Sequence, residues 1–76
     1  MSNPFLEKVS AEFERAAKLH GPMHSAHEAF AVILEEVEEF KAEVFKKRPD
    51  RENMLTELVQ IAAMCAKTVD NLNLMK

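Results

Sequence analysis

Residues 54–72 read MLTELVQIAAMCAKTVDNL, and they carry two patterns at once. Placed at about 100° per residue, Met54, Leu55, Leu58, Val59, Ile61, Ala62, Cys65, Ala66, Val69 and Leu72 spread over roughly 200° of a helix. A helix lying on one surface needs about half that width. This one needs neighbours on two sides. The rest of its circumference holds a narrow polar line, Glu57, Gln60, Lys67 and Asn71, with Met64 inside it, at steps of three and four. A polar line on an otherwise apolar helix implies groups needed at an interface or cleft.

The rest of the chain supplies two more helices and nothing else. Gly21 is the only glycine, and prolines occur only at positions 4, 22 and 49. Asn3 is an expected N-cap, with Pro4 at the first helical position. Leu6, Val9, Phe13 and Ala16 follow at helical spacing until Gly21-Pro22 ends the segment. Ser25-Ala-His-Glu28 reads as a capping box opening a second helix. Its apolar stripe is Ala26, Phe30, Ile33, Val37, Phe40 and Val44. Pro49 stops that helix, and Asp50 caps the third. The expectation is an all-α, three-helix chain forming one domain over residues 1–76.

Seventy-six residues bury only about 60% of the surface their unfolded chain would expose. A monomer of this size is marginal, and two helices do not readily cover both sides of the third. The reading is a homo-oligomeric helical bundle, dimer or tetramer, with the third helix central. A composition of 47% hydrophobic and 30% charged residues fits a folded domain. A net charge of −3 gives no support for nucleic-acid binding. Neither a leader segment nor an apolar run long enough for a bilayer is expected, which points to the cytoplasm. Cys65 is the only cysteine, so no intramolecular disulfide forms and a cysteine-based zinc site is excluded. Its apolar neighbours predict a small buried core residue.

The second helix concentrates charge. Glu35, Glu36, Glu38 and Glu39 fall within five residues, and like charges three or four apart repel by a few tenths of a kcal/mol per pair. On the helical wheel Glu28, Glu35, Glu36, Glu39 and Glu43 share about a quarter turn opposite the apolar stripe. Periodicity alone favours a solvated face there. Val32 in the middle of the arc argues that part of it meets protein or ligand. Should the polar line of the third helix approach this arc, Glu36, Glu39 and Glu57 would offer oxygen ligands to a hard cation such as Mg²⁺. Lys67, further along that line, would be placed to neutralise a phosphate.

At these residues the chain resembles the MazG-like all-α nucleotide pyrophosphohydrolases. Their signature is EExxE, a spacer of a dozen or more residues, then ExxD on an antiparallel helix. Here it reads Glu35-Glu36-Val-Glu-Glu39, seventeen intervening residues, then Glu57-Leu-Val-Gln60. The resemblance covers helices two and three. It implies Mg²⁺-dependent (Mn²⁺ also serving) hydrolysis of a nucleoside or deoxynucleoside triphosphate to the monophosphate and pyrophosphate, by a dimer or tetramer. Carried over by position, Glu36, Glu39, Glu57 and Gln60 fall on metal positions and Glu35 on a ligand or water-activating base. The departure is Gln60, a neutral amide where the pattern has Asp, and the chain is short for the family, which usually carries a further C-terminal helix. The alternative is a non-catalytic helical interaction protein of the same fold. A third possibility is a bundle unrelated to nucleotides, whose acids only solvate it.

Other residues are candidates too. Lys67, Lys47 and Asn71 are the expected substrate contacts, with Lys47 in the run Lys46-Lys47-Arg48, which also suits a helix C-terminus. His24-x-x-His27 with Glu28 has the residue types of a transition-metal site, though capping or surface exposure is the commoner fate. Phe45 and Met64 are assigned to core packing, with a base pocket as the alternative. No glycine-rich loop exists to cradle phosphate.

Overall fold

Three side-chain caps define the helices. Asn3 Oδ1 accepts from the Phe5 and Leu6 N–H groups at 2.8 and 3.2 Å, starting α1 (Pro4–Leu19). Ser25 Oγ accepts from the Glu28 N–H at 3.1 Å and opens α2 (Ala26–Val44). Glu28 does not complete the reciprocal box; its carboxylate accepts from the His24 N–H at 3.2 Å, one residue further back. Asp50 Oδ1 accepts from Glu52 and Asn53 at 2.8 and 3.3 Å and starts α3 (Arg51–Asn71). Each cap satisfies donors that the first helical turn leaves open. The computed structural model describes residues 3–76. Met1 and Ser2, where the no-leader reading begins, lie outside them.

The described residues form three helices and no strand. Both α1 and α2 pack on α3, and they do not pack on each other. The third helix is therefore the hub, but α1 and α2 lie on the side of its polar line and leave Leu55, Leu58, Cys65 and Ala66 of its apolar arc exposed. One alanine from each helix, Ala16, Ala29 and Ala63, is buried at the junction together with Met23 and Met64. Alanine at a helix contact removes side-chain bulk and lets backbones approach closely. Val9, Phe13, Val32, Ile33 and Leu72 pack around this small core. Hydrogen bonds near both ends hold α2 antiparallel to α3. At one end Glu43 accepts from the Asp50 N–H at 2.8 Å, and at the other Asn71 Oδ1 accepts from the Met23 N–H at 2.8 Å.

The orientation of α2 differs from the expected one. Phe30 is 66% exposed, and Val37 and Val44 also face outward, while Glu43 is buried to 5% exposure and Glu36 is half-buried. Hence the acidic side, and not the Phe30–Val37–Val44 stripe, turns toward α3. Cys65, expected in the core, is exposed, as is Ala66. Both lie on α3 away from α1 and α2. Phe45 is 79% exposed and belongs neither to the core nor to a pocket. No helix among the described residues is long and apolar enough to cross a membrane.

Ala63 shows no exposed surface at the junction, so added volume there has nowhere to go. Ala63→Leu is expected to destabilise the fold by about 1–3 kcal/mol through overpacking. Urea unfolding should show a lower midpoint with an unchanged slope; an unshifted midpoint would mean the junction is loose.

Candidate metal site and adjoining groove

The polar line of α3 is its inward line. Glu57, Gln60 and Asn71 are half-buried, and Met64 and Lys67 are buried. Since α2 presents its acidic side to the same seam, carboxylates of the two helices meet. One carboxylate oxygen each from Glu36, Glu39 and Glu57 lies within 4.8 Å of the other two. Glu36 and Glu39 are one turn apart on α2, while Glu57 approaches from the antiparallel α3. Two of these groups are left short of donors. Glu36 Oε2 and Glu57 Oε2 are buried with no hydrogen-bond partner among the described residues.

Buried acceptors with nothing to accept are rare in folded proteins, and each calls for an explanation. Here the shortage has an electrostatic signature. Burial pushes the Glu36 carboxyl from its ordinary 4.5 up to about 7, and the neighbouring charges of Glu39, Glu57 and Glu35 add to it. The Glu57 carboxyl is also raised, first by burial and then by its approach to Glu39. Neither proton affinity comes from a positive neighbour. A divalent cation would meet both needs, supplying charge and accepting the orphaned oxygens. The donor set, three carboxylates and no sulfur or imidazole, is chemistry for a hard cation.

Glu36 also lines a groove of about 470 Å³ between α1, the turn after it, α2 and α3. Arg15, His20, His24, Gln60, Met64 and Lys67 share this lining. Its volume falls within the range of small-molecule sites. Gln60, one turn beyond Glu57, is engaged toward α1. It lines the groove beside Glu12, whose carboxyl is held below its ordinary value chiefly by Arg15 and also by Gln60. Arg15 grips Glu12 with two hydrogen bonds, 2.8 and 2.6 Å.

The other expected contacts divide. Lys67 lines the groove, and its Nζ donates to the Gly21 carbonyl at 2.8 Å. Asn71 is not among the lining residues, because its side chain holds the Met23 N–H. Lys47 stands exposed in the turn after α2, also away from the groove. Glu35 is exposed beside the three acids and adds only its charge to Glu36. Glu43, placed by the wheel in the acidic arc, is structural. It pairs with Lys46 at 2.6 Å and caps the α2–α3 turn, and these bonds hold its carboxyl low. His24, His27 and Glu28 do not converge; among the described residues Glu36, Glu39 and Glu57 form the one such ligand group. Sequence reasoning missed Glu12 and Arg15. Their spacing of three, beside the buried Ala16, was the available signal.

The chain matches no known family, no curated protein and no solved structure.

The raised Glu36 carboxyl gives a pH dependence of defined sign. Its proton is held more tightly in the folded than in the unfolded chain, so the associated stability is complete below about 4.5 and lost as pH rises toward about 7. Glu12 and Glu43 act in the opposite sense but below 4.5, where their lowered carboxyls protonate. With chelator present, stability is expected to fall from pH 5 to pH 7, a window lying within the span of the Glu36 shift. Glu36→Gln should flatten that slope in denaturant titrations at a series of pH values. A wild-type profile level across the window would contradict the burial of this acid.

Proposed function

We propose that this protein is a small Mg²⁺-dependent nucleotide pyrophosphohydrolase of the MazG-like type, acting in the cytoplasm as a homo-oligomer. The observation that carries the reading is the convergence of Glu36, Glu39 and Glu57 with two buried oxygens left without a donor. The EExxE…ExxQ spacing that places these acids on antiparallel helices supports it.

Glu36, Glu39 and Glu57 would hold the ion. Bound there, Mg²⁺ supplies charge stabilisation to phosphoryl oxygens and makes a coordinated water more acidic. Glu35, exposed next to the triad, accepts the proton of the attacking water. The groove that begins at Glu36 receives the nucleotide, with Met64 and Val32 as its apolar wall. Gln60 contributes through Glu12 and the groove wall, and its side chain leaves the ion-binding work to the three glutamates.

Oligomerisation is proposed from the apolar surface that remains. Phe30, Leu34, Val37 and Val44 on α2 and Leu55 and Leu58 on α3 are exposed. So many outward aliphatic and aromatic side chains on 76 residues are more than a stable monomer usually carries, and a partner copy would cover them. Sedimentation at micromolar concentration is expected to give a dimer or tetramer, with Val37→Lys shifting it toward monomer. A wild-type chain that stays monomeric would remove this part of the reading.

A specific observation favours one alternative. Gln60 is a neutral amide that lines the groove beside Glu12, so the site has three acids where the family pattern provides four, and a fold-retaining protein without turnover would look like this. Two measurements separate the readings. Mg²⁺ or Mn²⁺ should bind by calorimetry, and Glu57→Gln should weaken that binding by at least about tenfold. Pyrophosphate release from a panel of nucleoside and deoxynucleoside triphosphates should then be seen with wild type and lost in Glu39→Gln. Metal binding without turnover of any nucleotide selects the interaction protein. Absence of both leaves only a charged bundle.

A further inference from the structure

The end of the groove away from the acidic triad contains a buried cation with no counterion. Lys67 is 5% exposed. Its Nζ donates once, to the Gly21 carbonyl at 2.8 Å, whereas an ammonium has three donors. The ion pairs among the described residues are Arg15–Glu12 and Lys46–Glu43, so no carboxylate balances Lys67. The acids that share the groove are otherwise engaged. Glu12 is gripped by Arg15, Glu28 accepts the His24 N–H, and Glu36 belongs to the triad. An ammonium drawn out of water without a compensating anion is costly, and here it lines an open groove that an anion can enter.

We propose that this end of the groove is an anion site, separate from the triad, in which Lys67 Nζ and the turn containing His20 and His24 take a phosphate group. Three features select phosphate. The lysine ammonium is a compact point charge that suits phosphate oxygens. His20 and His24 add imidazole N–H donors from the same lining. Arg15, though paired with Glu12, adds guanidinium N–H groups to the wall. The site is also displaced along the seam. Glu57 and Lys67 are ten residues apart on one helix, which is about 15 Å of axial rise. A ligand that also reached the triad would therefore be elongated and anionic at both ends. That corollary rests on the nucleotide reading above; the anion site itself does not.

The experiment uses the full chain with chelator present, titrated with inorganic phosphate and followed by amide NMR. Saturable shifts are expected at Gly21, Met23, Met64 and Lys67. Lys47→Met, at a position away from the groove, should bind phosphate as wild type does. Lys67→Met should weaken binding by about tenfold or more, the loss of one charge-assisted contact, and Lys67→Arg should recover part of it. Where Lys67→Met fails to fold, the wild-type shift map decides. Shifts spread over the surface, or confined to Lys46–Arg48, would overturn the proposal, as would wild-type affinity in a folded Lys67→Met. Failure of phosphate binding alongside intact Mg²⁺ binding would sink this site and leave the triad standing, while the reverse result would do the opposite.

Discussion

Everything in this fold depends on a seam of polar groups held between helices where a small domain would ordinarily place its core. The α3 line of Glu57, Gln60, Met64, Lys67 and Asn71 faces the neighbouring helices, and the acidic side of α2 faces it in return. Burying a carboxylate without a partner costs far more than burying a methyl group gains. The apolar core beside the seam is modest, centred on three alanines and two methionines. So the seam is held by geometry, and its energy is recovered only where each charge finds a partner.

Along the seam the partners differ. At the α2–α3 turn Glu43 is fully served by Lys46 and the Asp50 N–H, which lowers its proton affinity and locks the hairpin. In the middle Glu36 and Glu57 have none, and their proton affinity rises. At the far end Lys67 has one carbonyl and no counterion. One rigidly closed end and two electrostatically incomplete stations is the pattern of a structure whose missing partners come from outside. Unsatisfied groups and shifted proton affinities concentrate at functional sites because chemistry needs charge that the protein itself does not neutralise.

How much of this was legible follows from what a helical wheel contains. The three helices were readable because Asn3, Ser25 and Asp50 are caps with little competing role, and Pro49 allows no continuous α2–α3 helix. The inward polar line of α3 was readable because a polar stripe within a wide apolar arc has few other uses. The rotation of α2 was not. A wheel orders residues around one axis but does not say which sector meets a neighbour, and here two apolar sectors compete for cover. The alanine junction decides the matter: Ala29 allows close approach to Ala63, and that face of α2 carries the acids with it. Phe30, Val37 and Val44 are thereby left outside, as is Cys65 on the uncovered side of α3. The same limit hid Glu12 and Arg15, whose importance exists only once α1 lies across Gln60.

Gln60 shows why a single position is best read through its neighbours. Taken alone, an amide in place of an acid removes charge from a metal site. In the folded chain Gln60 lies beside Glu12, which already holds Arg15 and whose carboxyl Gln60 helps to keep low. Aspartate there would set a like charge beside Glu12. It would also add a fourth acid one turn from Glu57, where Glu36 and Glu57 already resist ionisation. The neutral amide therefore spares Glu12, Glu36 and Glu57 a further like charge. Because α1 and α2 each pack on α3 and not on each other, it is α3 that keeps the two walls of the groove in register.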